Sequence, residues 1–319
     1  MKPKLLASLM TAVQQSGATP AKIGVAVALA LSVPVAKADV DYYTSTTSTD
    51  WSTDSNWSTG STPSLSTGGT AVINNGANVV YTAGDDLRIS VGGVLEVSNG
   101  SWTQTGGVAW IQLAGTATLR VDGGTFNMGT SAKINVTNSG NKIEVSAGAL
   151  NITTGLAITS DLSYVQSGGT VSIAGELDID ASTASMSGGI LNTTLITTVN
   201  ADTTATFTLS GGVINLSSAT GIYGNTLDQI NFTVGSTGEI NFTGGTTLSA
   251  VEAMITNGVI QYNNTIDSNL SIFNVTQSGD VVTVELAAVP EPSTASSIAI
   301  GLAGLGLLLY KRNHSRIAF

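Results

Sequence analysis

A glycine pair recurs at residues 68, 92, 106, 123, 168, 188, 211 and 244, and the residues after each pair obey a rule. Two positions after the second glycine stand Ala71, Leu95, Ala109, Phe126, Val171, Leu191 and Ile214. Two positions further stand Ile73, Val97, Ile111, Met128, Ile173, Thr193 and Leu216. The residue between is often polar, as at Glu96, Asn127, Ser172, Asn192 and Asn215. Such period-two alternation marks a strand with one buried face. The pairs lie 24, 14, 17, 45, 20, 23 and 33 residues apart. The interval of 45 divides into two units of about 22, within the range of solenoid repeats. The pair at 244 breaks the rule, which places the end of the repeat near it.

Further alternating segments lie between the pairs: Leu87, Ile89 and Val91, then Leu119 with Val121, Ile143 with Val145, Leu150 with Ile152, Leu177 with Ile179, Phe207 with Leu209, and Ile230 with Phe232 and Val234. Each unit thus offers two or three short strands, with Gly, Ser, Asn or Asp at the corners. Strands this short bury a face only by stacking turn upon turn. The predicted fold class is all-β, a right-handed parallel β-helix (β-solenoid) over residues 68–288. From 68 to 245 there is room for roughly eight turns of about 22 residues, at about 4.8 Å per turn. An antiparallel β-sandwich also uses short alternating strands and is the competing architecture. A corner that repeats in register favours the solenoid.

The open ends of such a stack need covering. Residues 39–67, with Trp51 and Trp57, form the expected N-terminal cap. Segments 259–262, 270–275 and 281–286 are the expected strands at the other end, and a helical period is legible only over 248–255.

Between residues 39 and 288 stand 20 acidic residues against Arg88, Arg120, Lys133 and Lys142, a net charge near −16. No nucleic-acid partner is expected, because phosphate contacts need positive charge. The chain has no cysteine, and its one histidine is His314. Ser–His and Cys–His nucleophiles and the usual zinc sites are therefore not expected. No catalytic residue and no cofactor is assigned.

Carboxylates remain. Glu176, Asp178 and Asp180 make an acidic row on a predicted strand, where alternate residues share a face. Such a row is a candidate for weak Ca2+ binding or for an acid/base pair on a sugar. The favoured reading is a solvated face that keeps the rod soluble. Asp85 and Asp86 near Arg88, and Asp122 near Arg120, have the charges of β-helical polysaccharide lyases but match no motif of those enzymes. Tyr42, Tyr43, Trp51, Trp57, Trp102 and Trp110 are candidates for stacking on sugar rings, or for bulk in a cap. Asn-x-Ser/Thr triplets at Asn151, Asn231 and Asn241 read as strand and turn chemistry.

The termini carry an address. Lys2, Lys4 and Lys22 precede an 11-residue apolar run, 23–33, and Ala36-Lys37-Ala38 fits small-x-small cleavage before Asp39. Residues 1–38 thus read as a signal peptide for signal peptidase. At the other end Pro290-Glu291-Pro292 precedes an uncharged run of 16 residues, 295–310, and then Lys311, Arg312 and Arg316. As a transmembrane helix the run is about 24 Å long, just short of a bilayer core of roughly 30 Å. The basic cluster would stop transfer and stay cytoplasmic.

This tail, residues 289–319, resembles the PEP-CTERM sorting signal of bacterial surface proteins. The resemblance implies that Pro290, Glu291 and Pro292 are recognised by an exosortase-type enzyme, which cuts near them. The body resembles the passenger domains of autotransporters and other β-helical bacterial surface proteins, some of which have Trp-containing starts. PEP-CTERM families are associated with bacteria that make extracellular polysaccharide. The implied protein is exported and non-enzymatic. It passes through the inner membrane and ends at the surface, outer membrane or matrix of a Gram-negative-type cell, in contact with exopolysaccharide. The alternatives are a β-helical polysaccharide lyase or hydrolase, and an inert surface spacer.

Overall fold

A computed structural model of the chain describes residues 39–287, apart from 83, 106–109, 130–133, 159–161, 180–181, 198–204 and 224–228. The alternating segments fold as a three-sided parallel β-solenoid. The first side stacks β1 (Val40–Tyr42), β2 (Thr70–Ile73), β5 (Val94–Val97) and the first halves of β8 (Thr118–Asn127) and β10 (Lys142–Ile152). It continues through β12 (Ser163–Gln166), the first halves of β15 (Thr183–Thr193) and β17 (Thr206–Leu216), β19 (Gln229–Phe232) and β21 (Ile260–Tyr262). The second side holds β3 (Asn78–Tyr81), β6 (Ser101–Gln104), β13 (Thr170–Ile173), β20 (Glu239–Phe242) and the second halves of the four long strands. The third side is two short sheets, one of β4 (Leu87–Ser90), β7 (Ile111–Ala114) and β9 (Ile134–Thr137). The other holds β11 (Leu156–Ile158), β14 (Leu177–Ile179), β16 (Ile196–Thr197) and β18 (Ile222–Tyr223). Every one of these pairings is parallel, which excludes the sandwich.

The core is built of like on like. Leu95, Leu119 and Ile143 occupy one register position on successive turns, and all three are fully buried. Each such side chain contributes about 1.5–3 kcal/mol by leaving water, an upper bound because unfolded chains already bury some surface. Between β2 and β19 the first side holds eight stacked strands.

The glycine pairs do not serve one corner: six of the described pairs divide between two corners, and Gly244 follows β20 at a third. Gly68 and Gly92 precede first-side strands, whereas Gly123, Gly168, Gly188 and Gly211 begin the bends from first to second side. Mixing two series produces the irregular spacings. The interval of 45 also resolves: Ala147-Gly148 occupies the missing corner, between Gly124 and Gly169. There the second glycine is the indispensable one. Gly148 has φ +74°, and a Cβ on it would fall 2.1 Å from the Gly124 carbonyl oxygen. The pair at 106 lies outside the described residues. Val91 and Val234, expected to face inward, are 71% and 68% exposed, because β4 ends at Ser90 and β19 at Phe232 and the chain turns after each.

At the N-terminal end Tyr43, Trp51 and Trp57 are buried, with Trp57 edge-on to Tyr43 and to Trp51 at 5.1 and 4.8 Å. The rings continue inward through Tyr81 and Trp102 to Phe126, which stacks on Trp102 at 4.4 Å. Buried Asn56 donates to the Tyr43 hydroxyl, Ser48 Oγ and the Asp50 carbonyl, at 2.7–3.1 Å. At the other end α1 (Leu248–Thr256) follows β20, buries Val251 and Ile255, and is capped by Thr247. Then β22 (Phe273–Ser278) and β23 (Val281–Leu286) form a hairpin, and β23 runs antiparallel to β20. That reversal ends the parallel series on the second side. Among the described residues no helix is long and apolar enough to cross a membrane. The run 295–310 lies outside them, as do the leader and the PEP segment.

Candidate functional site

The acidic row stays within one turn of the solenoid. Glu176 is exposed and Asp178 half-buried, both lining a cleft of about 400 Å³ beside Leu156 and Thr194. Asp180 lies outside the described residues. Asp178 is flanked on adjacent turns by Ala157 and Thr197, so the carboxylates do not continue along the stack. Among the described residues no three metal-ligating side chains converge.

Of the other charged candidates, Asp85 and Arg88 are exposed, and Asp86, Asp122 and Arg120 bind turn to turn. Asp86 accepts from the Trp110 amide and from Gln112 Nε2, and Asp122 accepts from Ser146 Oγ. Arg120 lies in register between Glu96 and Glu144 and pairs with both, at 3.3 and 2.9 Å. The hydrogen bond from Arg120 to Glu144, then the charge of Glu144 and the contacts of Glu96, outweigh partial desolvation and raise the guanidinium pKa above its ordinary value. Of the aromatics offered for sugar stacking, Tyr43, Trp51, Trp57 and Trp102 are core residues. Tyr42 and Trp110 are exposed. Core geometry claims the rings because the end of a stack needs large apolar groups.

The most regular polar feature is on the outer second side. Thr103, Asn127, Asn151, Ser172, Asn192, Asn215, Asn241 and Thr283 share one register position through eight strands. Asn127 donates to Thr103 Oγ1 at 3.2 Å, and Asn151 to Asn127 Oδ1 at 2.8 Å. Asn215 donates to Asn192 Oδ1 at 2.8 Å, and Asn241 to Asn215 Oδ1 at 3.2 Å. Thr283 closes the row with a 2.7 Å bond to Asn241 Oδ1. Amide ladders form wherever identical side chains stack in register along a parallel sheet.

The Asn-x-Ser/Thr triplets are one consequence of this architecture. In Asn151-Ile152-Thr153 and Asn241-Phe242-Thr243 the asparagine joins the ladder and the middle residue enters the core. The threonine then turns the corner and donates to a backbone carbonyl of the preceding turn, Gly129 or Leu216. Beside the ladder, along the corner between second and third sides, runs a cleft of about 400 Å³. Asn151, Ser172, Asn192 and Asn215 form one wall, with Thr153, Thr194, Ser217 and Thr243 at the corner. None of its described lining residues is charged. Alternation marks most of these residues as outward and polar, but only the stacking of turns places them in one row.

Ala36, Ala38, Pro290, Glu291, Pro292, Lys311, Arg312 and Arg316 lie outside the described residues. No protein-family model, curated protein or solved structure matches the chain.

Proposed function

We propose that this chain is a non-enzymatic exported protein of the bacterial surface or extracellular matrix, associated with exopolysaccharide. In this reading signal peptidase cuts before Asp39, and residues 295–310 hold the precursor in the inner membrane. An exosortase-type enzyme then acts near Pro290-Glu291-Pro292, and a right-handed solenoid is displayed outside. The observation that carries the reading is one sequence arrangement: a strongly acidic repetitive body between an export leader and a PEP-type tail. The fold supports it in kind. A stack of short parallel turns is a rod whose outer faces are regular over many turns, suited to display and to long partners.

Intact mass measured on the protein from its native host, in membrane and culture-supernatant fractions, tests this. A species from Asp39 to near Pro290-Glu291-Pro292, found off the inner membrane, supports the proposal. A species retaining Phe319 and confined to the inner membrane overturns it.

A further inference from the structure

We propose that the cleft beside the asparagine ladder is a binding groove for a neutral polysaccharide chain lying parallel to the solenoid axis. The inference rests on the matrix reading above and gives it a site and a ligand class.

The cleft crosses the turns from Asn151 to Thr243, roughly 19 Å at about 4.8 Å per turn. Its wall is a row of amides that are only half used. An asparagine amide has two N–H donors and an oxygen with two acceptor directions. Asn151 and Asn215 each spend one N–H on the neighbouring asparagine, and Asn192 spends one on Ser172 Oγ at 3.5 Å. Asn241 differs, with its second bond going to Glu239 at 2.6 Å. Asn151, Asn192 and Asn215 thus each keep one N–H, on the first, third and fourth of four successive turns, with the Ser172 hydroxyl on the second. A polymer of hydroxyl-bearing rings lying along the row supplies acceptors and donors to them.

Charge selects among polymers. The body is strongly acidic, so a polyanion such as a uronic-acid chain or a nucleic acid is repelled. The cleft's described lining has no carboxylate to hold a polycation. Exposed Ala174 in the lining offers an apolar contact to the C–H faces of sugar rings, with Ile152 and Ile173 buried in the core beneath it. A neutral glycan satisfies the free amides and costs no desolvated charge.

The test is affinity electrophoresis of the full chain in gels containing hydroxyethyl cellulose, a neutral glucan, or polygalacturonate. The expected result is retardation by the glucan alone, unaffected by added salt. Asn192→Asp/Asn215→Asp and Ala174→Leu should each weaken it about tenfold, the size of one or two lost hydrogen bonds. Ala174 is exposed, so its variant fills the groove while leaving ladder and core in place. Three results each overturn the proposal: no retardation by the neutral glucan, stronger retardation by polygalacturonate, or glucan retardation unchanged in Ala174→Leu. Processed, displayed protein without glucan binding sinks this inference alone. Glucan binding by a chain that stays uncut in the inner membrane sinks the surface reading alone.

Discussion

Asn215 Nδ2 donates to Asn192 Oδ1 at 2.8 Å, across two turns of the solenoid whose equivalent residues lie 23 apart. Neither residue is fully buried, so water competes for both amides and the bond contributes little by itself. Its effect is on register. A one-residue slip would carry every outward side chain to the inner face. Asn192→Ala removes its bonds to Ser172 and Asn215 together. We expect a loss of about 1 kcal/mol, measured from urea unfolding midpoints. Asn192→Gln, one methylene longer, should not restore it. Full stability in Asn192→Ala would mean that the ladder is decoration.

Gly148 and Gly279 share a positive φ, +74° and +60°, but not a neighbourhood. Nothing lies within 4 Å of a Cβ added to Gly279, whereas at Gly148 it meets the Gly124 carbonyl at 2.1 Å. Gly279→Ala should therefore cost about 1 kcal/mol, the left-handed penalty alone. Gly148→Ala should cost more than about 3 kcal/mol, because backbone and not a flexible side chain must move. Equal midpoints in thermal unfolding would show that the corner relaxes freely.

That contrast also shows what the sequence carries. Alternation alone locates Leu95, Leu119 and Ile143 on the inner face, because burial of a half-covered strand has period two. It cannot place Ala147-Gly148 as a corner, because at this one corner alanine stands at the first position and only the second is glycine. The asparagine row is hidden for a different reason. Equivalent positions are 24 residues apart between Asn127 and Asn151, 23 between Asn192 and Asn215, and 26 between Asn215 and Asn241. A changing turn length defeats any fixed period, and in-register contact is a property of the stack. The same holds for Asp178. Its neighbours Ala157 and Thr197 are distant in sequence and decide whether an acidic row has depth. For Trp51 and Trp102 the sequence left two readings open, bulk in a cap or a binding face, since ring chemistry is identical in both, and both rings lie in the core.

Arg120 bridges Glu96 and Glu144 on the turns below and above it, with its side chain 41% exposed. Exposed pairs of this kind contribute about 0–1 kcal/mol each and are screened by salt. Arg120→Ala should cost about 1 kcal/mol in low salt. In high salt the difference from wild type should shrink. A loss that salt does not touch would assign Arg120 a packing role through its aliphatic stem.

Tyr164 is fully buried, and its hydroxyl donates to Gln166 Oε1 at 2.7 Å. Gln166 Nε2 in turn donates to the Ile190 carbonyl at 2.9 Å, so a polar chain crosses an otherwise apolar layer. Burial pushes the Tyr164 phenol far above its ordinary value. The folded chain therefore keeps a proton that the unfolded chain releases above about pH 10. The stabilisation is complete below that pH and is lost as pH rises, at about 1.4 kcal/mol per pH unit. Tyr164→Phe should cost about 1–3 kcal/mol at neutral pH, because Gln166 Oε1 loses its donor. It should also lack this share of the alkaline decline, so the two stability curves converge above about pH 10. Urea midpoints for both proteins between neutral pH and about pH 11 measure it. Curves that stay parallel would place Tyr164 in contact with water and deny the buried pair.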